Sequence, residues 1–111
     1  MRKPIVERIR EVTVVQYEGE IIGSKARSTF QSAVEEATTD SEIIVIDLSE
    51  VPVIDRETLT AFDQLQQRAY DKHVELKFFN PRHFVQLTMN ESEPPRHFNI
   101  VALDELTRLL Q

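Results

Sequence analysis

The feature that most constrains the fold is an almost unbroken apolar run at residues 43–48, Ile-Ile-Val-Ile-Asp-Leu. A strand with one face in water would alternate apolar and polar side chains, so this run is typical of a strand covered on both faces. Such strands occur mainly in parallel α/β sheets, where crossover helices pack against the sheet. The run therefore predicts the central strand of an α/β domain.

The segments on either side of this run alternate between strand and helix patterns. β-Branched residues at 12–17 predict a strand, and apolar residues at helical spacing predict a helix over 24–38 with Ser24 as its N-cap. A second helix is predicted to begin at the N-cap Asp55. This alternation is expected of parallel crossovers. The further predicted elements are a strand around 74–78, a short helix opened by Pro81, a strand at 98–101, a terminal helix and an additional edge strand at 5–9.

Length and composition limit the class of protein. The 111 residues suffice for one hydrophobic core, so we expect a single domain over residues 1–111. The absence of cysteine excludes a disulfide framework and a thiolate zinc site. The longest apolar run is far shorter than the roughly 18 residues that a membrane span requires. We therefore expect a cytoplasmic protein that does not insert into a membrane.

The balance of charge argues against nucleic acid as a partner. Nineteen acidic and 13 basic residues give a formal charge of −6. A phosphate backbone would be repelled unless the basic residues were gathered on one surface. They are scattered along the chain, so we expect no nucleic-acid binding.

The sequence contains no arrangement that predicts catalysis or metal binding. Asp47 and Asp55 could form a carboxylate pair, but turn and capping roles explain both more simply. The histidines lack the clustered spacing of a metal site, and the only two glycines cannot form a glycine-rich phosphate loop. We therefore expect a protein that is not an enzyme and that needs no cofactor.

Residues 43–59 resemble the central signature of STAS domains, IIVIDLSEVPVIDRETL, in which an apolar strand is followed by a loop to Asp and a helix. Residues 19–21 are similar to the Gly-Glu-Leu turn of that family, and residues 74–89 resemble its later strand, loop and helix. The resemblance implies an α/β fold with a mixed sheet of four to five strands flanked by about four helices. It also implies protein association rather than catalysis.

The sequence departs from this family at the start of the second helix. In the anti-sigma factor antagonist branch that helix begins Asp-Ser-Ser-Gly, and a partner kinase phosphorylates the second Ser. Here Asp55 matches the leading Asp, Arg56 and Glu57 replace the two serines, and Thr58 replaces the Gly. The resemblance therefore implies that the usual phosphorylation switch is absent.

Two positions in this motif have alternative interpretations. Glu57 could be a fixed charge that imitates the phosphorylated state, or an acidic residue that only complements the helix dipole. Thr58 could be an alternative phosphorylation site, or its hydroxyl could serve only local hydrogen bonds. The sequence leaves both pairs open.

Apolar residues crowd the connection at 51–54, which would normally be polar. We therefore predict a protein-binding surface on this loop and the first turns of the second helix, although Val53 and Ile54 could instead plug the end of the sheet. The predicted contact residues are Pro52, Val53, Asp55, Arg56, Glu57, Thr58, Leu59 and Phe62.

The expected function is that of a regulatory, non-catalytic binding module similar to anti-sigma factor antagonists, whose partner would be an anti-sigma factor or a related kinase. One alternative is an accessory subunit that binds the ATPase subunit of a membrane transport system. Another is a small ligand-binding α/β domain, which would need a polar pocket. A homodimer is also open.

Overall fold

The computed structural model describes residues 3–91 and 97–111. Within these ranges it contains five strands and four helices. In chain order they are β1 (Ile5–Ile9), β2 (Val12–Gln16), α1 (Gly23–Ala37), β3 (Ile43–Asp47), α2 (Arg56–Asp71), β4 (Glu75–Phe79), α3 (His83–Asn90), β5 (Ile100–Val101) and α4 (Leu103–Leu109).

The five strands form one mixed sheet in the order β1-β2-β3-β4-β5. β1 is antiparallel to β2, and every other neighbouring pair is parallel. β3 is the middle strand, and Ile44, Val45 and Ile46 are fully buried. The predicted covered central strand and the predicted mixed α/β sheet are therefore confirmed.

A chain of aromatic rings holds the first two helices on one face of the sheet. Phe30 of α1 lies 5.5 Å from Phe62 of α2, and Phe62 lies 5.0 Å from Phe78 of β4, measured between ring centroids. All three side chains are completely buried. Burial of each contributes roughly 1.5–3 kcal/mol relative to exposure. This layer packs α1 and α2 against each other and against the sheet.

Two helix starts differ from the sequence prediction. The N-cap of α1 is Ile22, which makes no side-chain capping bond, and Ser24 is exposed inside the helix, so the prediction of Ser24 as N-cap is wrong. Similarly, α3 has Arg82 as its N-cap, so Pro81 precedes the helix rather than opening it. The physical reason for the first difference is a capping group from elsewhere in the chain, described below.

The second face of the sheet is covered more fully than the alternating pattern of β4 predicts. Lys77 is buried, with its Nζ 3.5 Å from Oε2 of Glu105 in α4 and 3.6 Å from Oε2 of Glu75. A lysine can occupy such a position because its aliphatic stem packs while its ammonium group remains paired.

Among the described residues, no helix has both the length and the apolar character needed to cross a bilayer.

Candidate functional site

The predicted contact residues lie at one edge of the sheet. Because β2 and β3 are parallel, both strands end there, and the connections that follow them lie side by side. The first connection leads into α1 and the second into α2. We call the region formed by residues 18–23 and 49–58 the corner.

Backbone hydrogen bonds join the two connections of the corner. The N–H of Gly19 donates to the carbonyl of Glu50 at 2.9 Å, and the N–H of Ile21 donates to the carbonyl of Val53 at 3.2 Å. Gly19 has φ +110°, a conformation that side chains disfavour. The corner is therefore a short extension of the sheet rather than a pair of independent loops.

Asp55 caps the starts of both helices with one carboxylate. Its Oδ1 accepts from the backbone N–H of Thr58 at 2.9 Å, which confirms the predicted N-cap of α2. Its Oδ2 accepts from the backbone N–H of Gly23 at 3.0 Å, so it also satisfies the first turn of α1. Nη1 of Arg27 lies 3.3 Å from both carboxylate oxygens. The start of α1 therefore needs no capping side chain of its own.

These contacts determine the ionisation of Asp55. Partial burial alone would raise its pKa, but hydrogen bonds from the Thr58 side chain and from the N–H groups of Gly23 and Thr58 oppose that effect, as does the charge of Arg27. The pKa of Asp55 consequently lies below its ordinary value of 3.8. The carboxylate is therefore ionised at neutral pH and holds the two helix starts together.

Thr58 is completely buried, contrary to its predicted place on a contact surface. Its Oγ1 lies 2.8 Å from the carbonyl oxygen of Ile21 and 2.6 Å from Oδ1 of Asp55, and its single proton is shared between these acceptors. A kinase could not reach this hydroxyl in this conformation. The hypothesis of an accessible phosphorylation site at Thr58 is therefore wrong here, and the hydroxyl serves internal hydrogen bonds.

Leu59 and Phe62 also belong to the core, with 3% and 0% of their surface exposed. Both lie on the face of α2 that packs against the sheet, because residues three and four apart share one side of a helix. Their predicted role as partner contacts is therefore wrong for this structure.

The outer surface of the corner retains the other predicted residues. Pro52, Arg56 and Glu57 are exposed and Val53 is half-buried, whereas the half-buried Asp55 uses its carboxylate for capping. Within the described ranges, the side chains of Arg56 and Glu57 make no hydrogen bond or ion pair. These two charged groups are therefore available to a partner.

Ile22 is a part of this surface that the sequence prediction missed. It is 45% exposed, next in the chain to the fully buried Ile21 whose N–H donates to the carbonyl of Val53, although aliphatic residues of this size are usually buried. The pattern at 19–23 suggested a turn but could not show which of two adjacent isoleucines points outward. We use the term contact patch for Ile22, Pro52, Val53, Arg56 and Glu57.

The described residues provide little that would hold a metal or a small ligand at the corner. Residues 3–91 and 97–111 contain no group of three or more His, Asp or Glu side chains placed to bind a metal ion. A groove of about 740 Å³ lies between β1 and α1, away from the contact patch. Charged side chains at its rim include Arg8 and Asp40, which pair with each other at 2.9 Å.

Comparison with solved structures shows what this fold is similar to. The structure of the anti-sigma factor antagonist SpoIIAA in its unphosphorylated form gives a TM-score of 0.76 at 14% identity, covering 96% of this chain and 95% of that chain. An anti-sigma factor antagonist from Mycobacterium paratuberculosis gives 0.72 at 18% identity, covering 97% and 92%. A Ser-to-Glu variant of RsbS from Moorella thermoacetica gives 0.73 at 16% identity, covering 97% of both chains.

At these identities the similarity concerns the fold. No curated protein sequence gives a significant match to the chain. The family model of the STAS domain, however, matches residues 3–103, which is nearly the whole chain. With five strands and four helices in the described ranges and a matching family signature, the chain belongs to the STAS domain family.

Proposed function

We propose that this STAS domain is a non-catalytic, cytoplasmic binding module of the anti-sigma factor antagonist type, and that its contact patch binds an anti-sigma factor or a related kinase. The observation that carries the proposal is that the side chains of Arg56 and Glu57 are exposed and unpaired within the described ranges. Both are exposed at the first turn of a helix whose start Asp55 caps, and neither pairs with a described residue. Charged side chains on a fixed helix start can pair with opposite charges on a partner, and such complementarity contributes specificity to a protein interface.

The binding would not be switched at Glu57. Glu57 has a carboxylate in place of a hydroxyl and therefore cannot accept phosphate. It carries one charge, whereas a phosphoserine carries about 1.5 to 2 negative charges and three acceptor oxygens. We therefore propose that Glu57 supplies a constant charge to the interface and only partly imitates a phosphorylated residue.

The proposal is tested by measuring the affinity of the purified chain for each purified anti-sigma factor encoded in the same genome. We expect at least one to bind and Arg56→Glu to weaken that complex about tenfold, which corresponds to about 1.4 kcal/mol. The matched control is Arg108→Glu, since Arg108 is an exposed arginine in α4. Equal weakening by both variants, or binding to none of these proteins, would contradict the proposal.

A second candidate is an accessory subunit of a membrane transport system. The presence of Glu57 where a phosphorylatable Ser would lie favours it, because such a role needs no phosphorylation. Purified ATPase subunits of transporters from the same genome provide the comparison. Binding to one of these subunits, without binding to any anti-sigma factor, would select this second function.

A further inference from the structure

The backbone is held in place on both sides of Ile22, although nearly half of this residue is exposed. The preceding residue, Ile21, is fully buried, its N–H donates to Val53 and its carbonyl accepts from the hydroxyl of Thr58. The following residue, Gly23, donates its N–H to Asp55. The backbone on each side of the exposed isoleucine is therefore tied to the loop before α2 or to the start of α2 itself.

Thr58 has a central place in these ties. Its hydroxyl contacts the carbonyl of Ile21 at 2.8 Å and Oδ1 of Asp55 at 2.6 Å, and its backbone N–H donates to the same Oδ1 at 2.9 Å. It thus connects the loop before α1 to the carboxylate that caps both helices. Since the side chain is completely buried, water does not compete for these hydrogen bonds.

We infer that Thr58 is a positioning residue that holds Ile22 outward as a preformed apolar anchor, and that the partner offers an apolar hollow to receive it. The identity of the partner in this inference rests on the proposed function. The positioning of Ile22 by Thr58 does not depend on it. An anchor that is already ordered loses less conformational freedom on binding, so more of its contact energy appears as affinity.

The neighbouring charges define the rest of the complementary surface. Arg56 and Glu57 are exposed in the same corner and carry opposite charges. A fitting partner would therefore place an acidic group and a basic group next to its apolar hollow. This combination distinguishes the expected partner from a lipid surface or a nucleic acid, which would present charge of one sign.

The positioning role is tested without any partner. In Thr58→Val the hydroxyl is replaced by a methyl group of similar size, whereas Thr58→Ser retains the hydroxyl. We expect Thr58→Val to raise the mobility of the Ile22 δ1 methyl group in NMR relaxation and to speed amide exchange at Gly23 about fivefold or more. Thr58→Ser should behave like the wild type. Wild-type mobility and exchange in Thr58→Val would overturn the inference, as would equal loosening in both variants.

The anchoring role is tested with the anti-sigma factor that binds in the affinity experiment above. Ile22→Ala should weaken binding about tenfold. The control Ile100→Ala, at a 37% exposed isoleucine of the edge strand β5, should leave affinity within about twofold of wild type. If Ile22→Ala binds normally while Arg56→Glu does not, the inference fails and the proposed function stands. If no anti-sigma factor binds, the proposed function fails, and the NMR experiment alone decides the role of Thr58.

Discussion

The first turns of α2 have an outer side that is exposed and an inner side that is buried in the fold. On the outer side, Arg56 and Glu57 are exposed and make no polar contact with the described residues. On the inner side, Thr58 and Leu59 are buried and hold the helix to the rest of the fold. Consecutive residues of a helix point in different directions, so a contact surface can use only part of such a segment. The difference separates positions that should affect folding from positions that should affect binding.

The largest effect should come from the inner side at Phe62, which contacts Phe30 and Phe78 in the core. Phe62→Ala should lower the free energy of unfolding by about 3–5 kcal/mol, measured by urea denaturation. Phe84→Ala is the matched control, because Phe84 is 68% exposed on α3. If the two variants lost similar stability, the distinction between the core side and the exposed surface would fail.

A smaller loss of folding stability is expected from substitution of Asp55, which lies between the outer and inner sides. Removing its carboxylate in Asp55→Ala leaves the starts of both α1 and α2 without their cap. We expect a loss of about 2 kcal/mol in the free energy of unfolding, the upper end for a single capping residue. Asp63→Ala, at an exposed position of the same helix, should change stability by no more than about 0.5 kcal/mol. A cost at Asp55 no larger than that at Asp63 would show that the shared cap is unimportant.

The same carboxylate predicts a pH dependence. The pKa of Asp55 is lower in the folded chain than its ordinary value of 3.8, so the folded state favours the ionised form. Its contribution is therefore fully present above the unfolded pKa and is lost as pH falls through the folded pKa. The stability gap between the wild type and Asp55→Asn should be constant above about pH 5 and shrink below about pH 4. A gap that widened on acidification would have the wrong sign.

The smallest effect on stability is expected on the outer side at Glu57. Glu57→Gln removes the charge at nearly constant shape and should cost less than about 1 kcal/mol through the helix dipole. Its affinity for the anti-sigma factor should change several-fold, because the charge lies in the contact patch. Glu11→Gln, in the turn between β1 and β2, is the control. An unchanged affinity in Glu57→Gln would leave the helix dipole as the only role of this residue.

Local patterns were sufficient to predict the framework of the fold. The apolar run at 43–48 predicted the central strand, and the position of Asp55 before a helical pattern predicted the cap of α2. Both predictions succeeded because the relevant interactions are encoded within a few neighbouring residues. The signature around 43–59 then led to the family.

The parts that sequence could not predict depend on contacts between distant residues. Gly23 is 32 positions from the carboxylate that caps it, and Arg27 is 28 positions from the same group. Ser24 had the right residue type and spacing for an N-cap, but Asp55 supplies that hydrogen bond from the other connection. Thr58 is polar, and one of the two acceptors that satisfy its buried hydroxyl is the carbonyl of Ile21, 37 positions earlier in the chain. These are tertiary effects without a local signal.

The most direct test of the central claim is to map the interface by NMR, with the ¹⁵N-labelled chain and the unlabelled anti-sigma factor that binds it. We predict that the amide signals of Ile22, Val53, Arg56 and Glu57 shift or broaden on binding, while those of α4 and β1 are unaffected. Changes confined to β1 and α4, with the signals of the contact patch unaltered, would contradict the account.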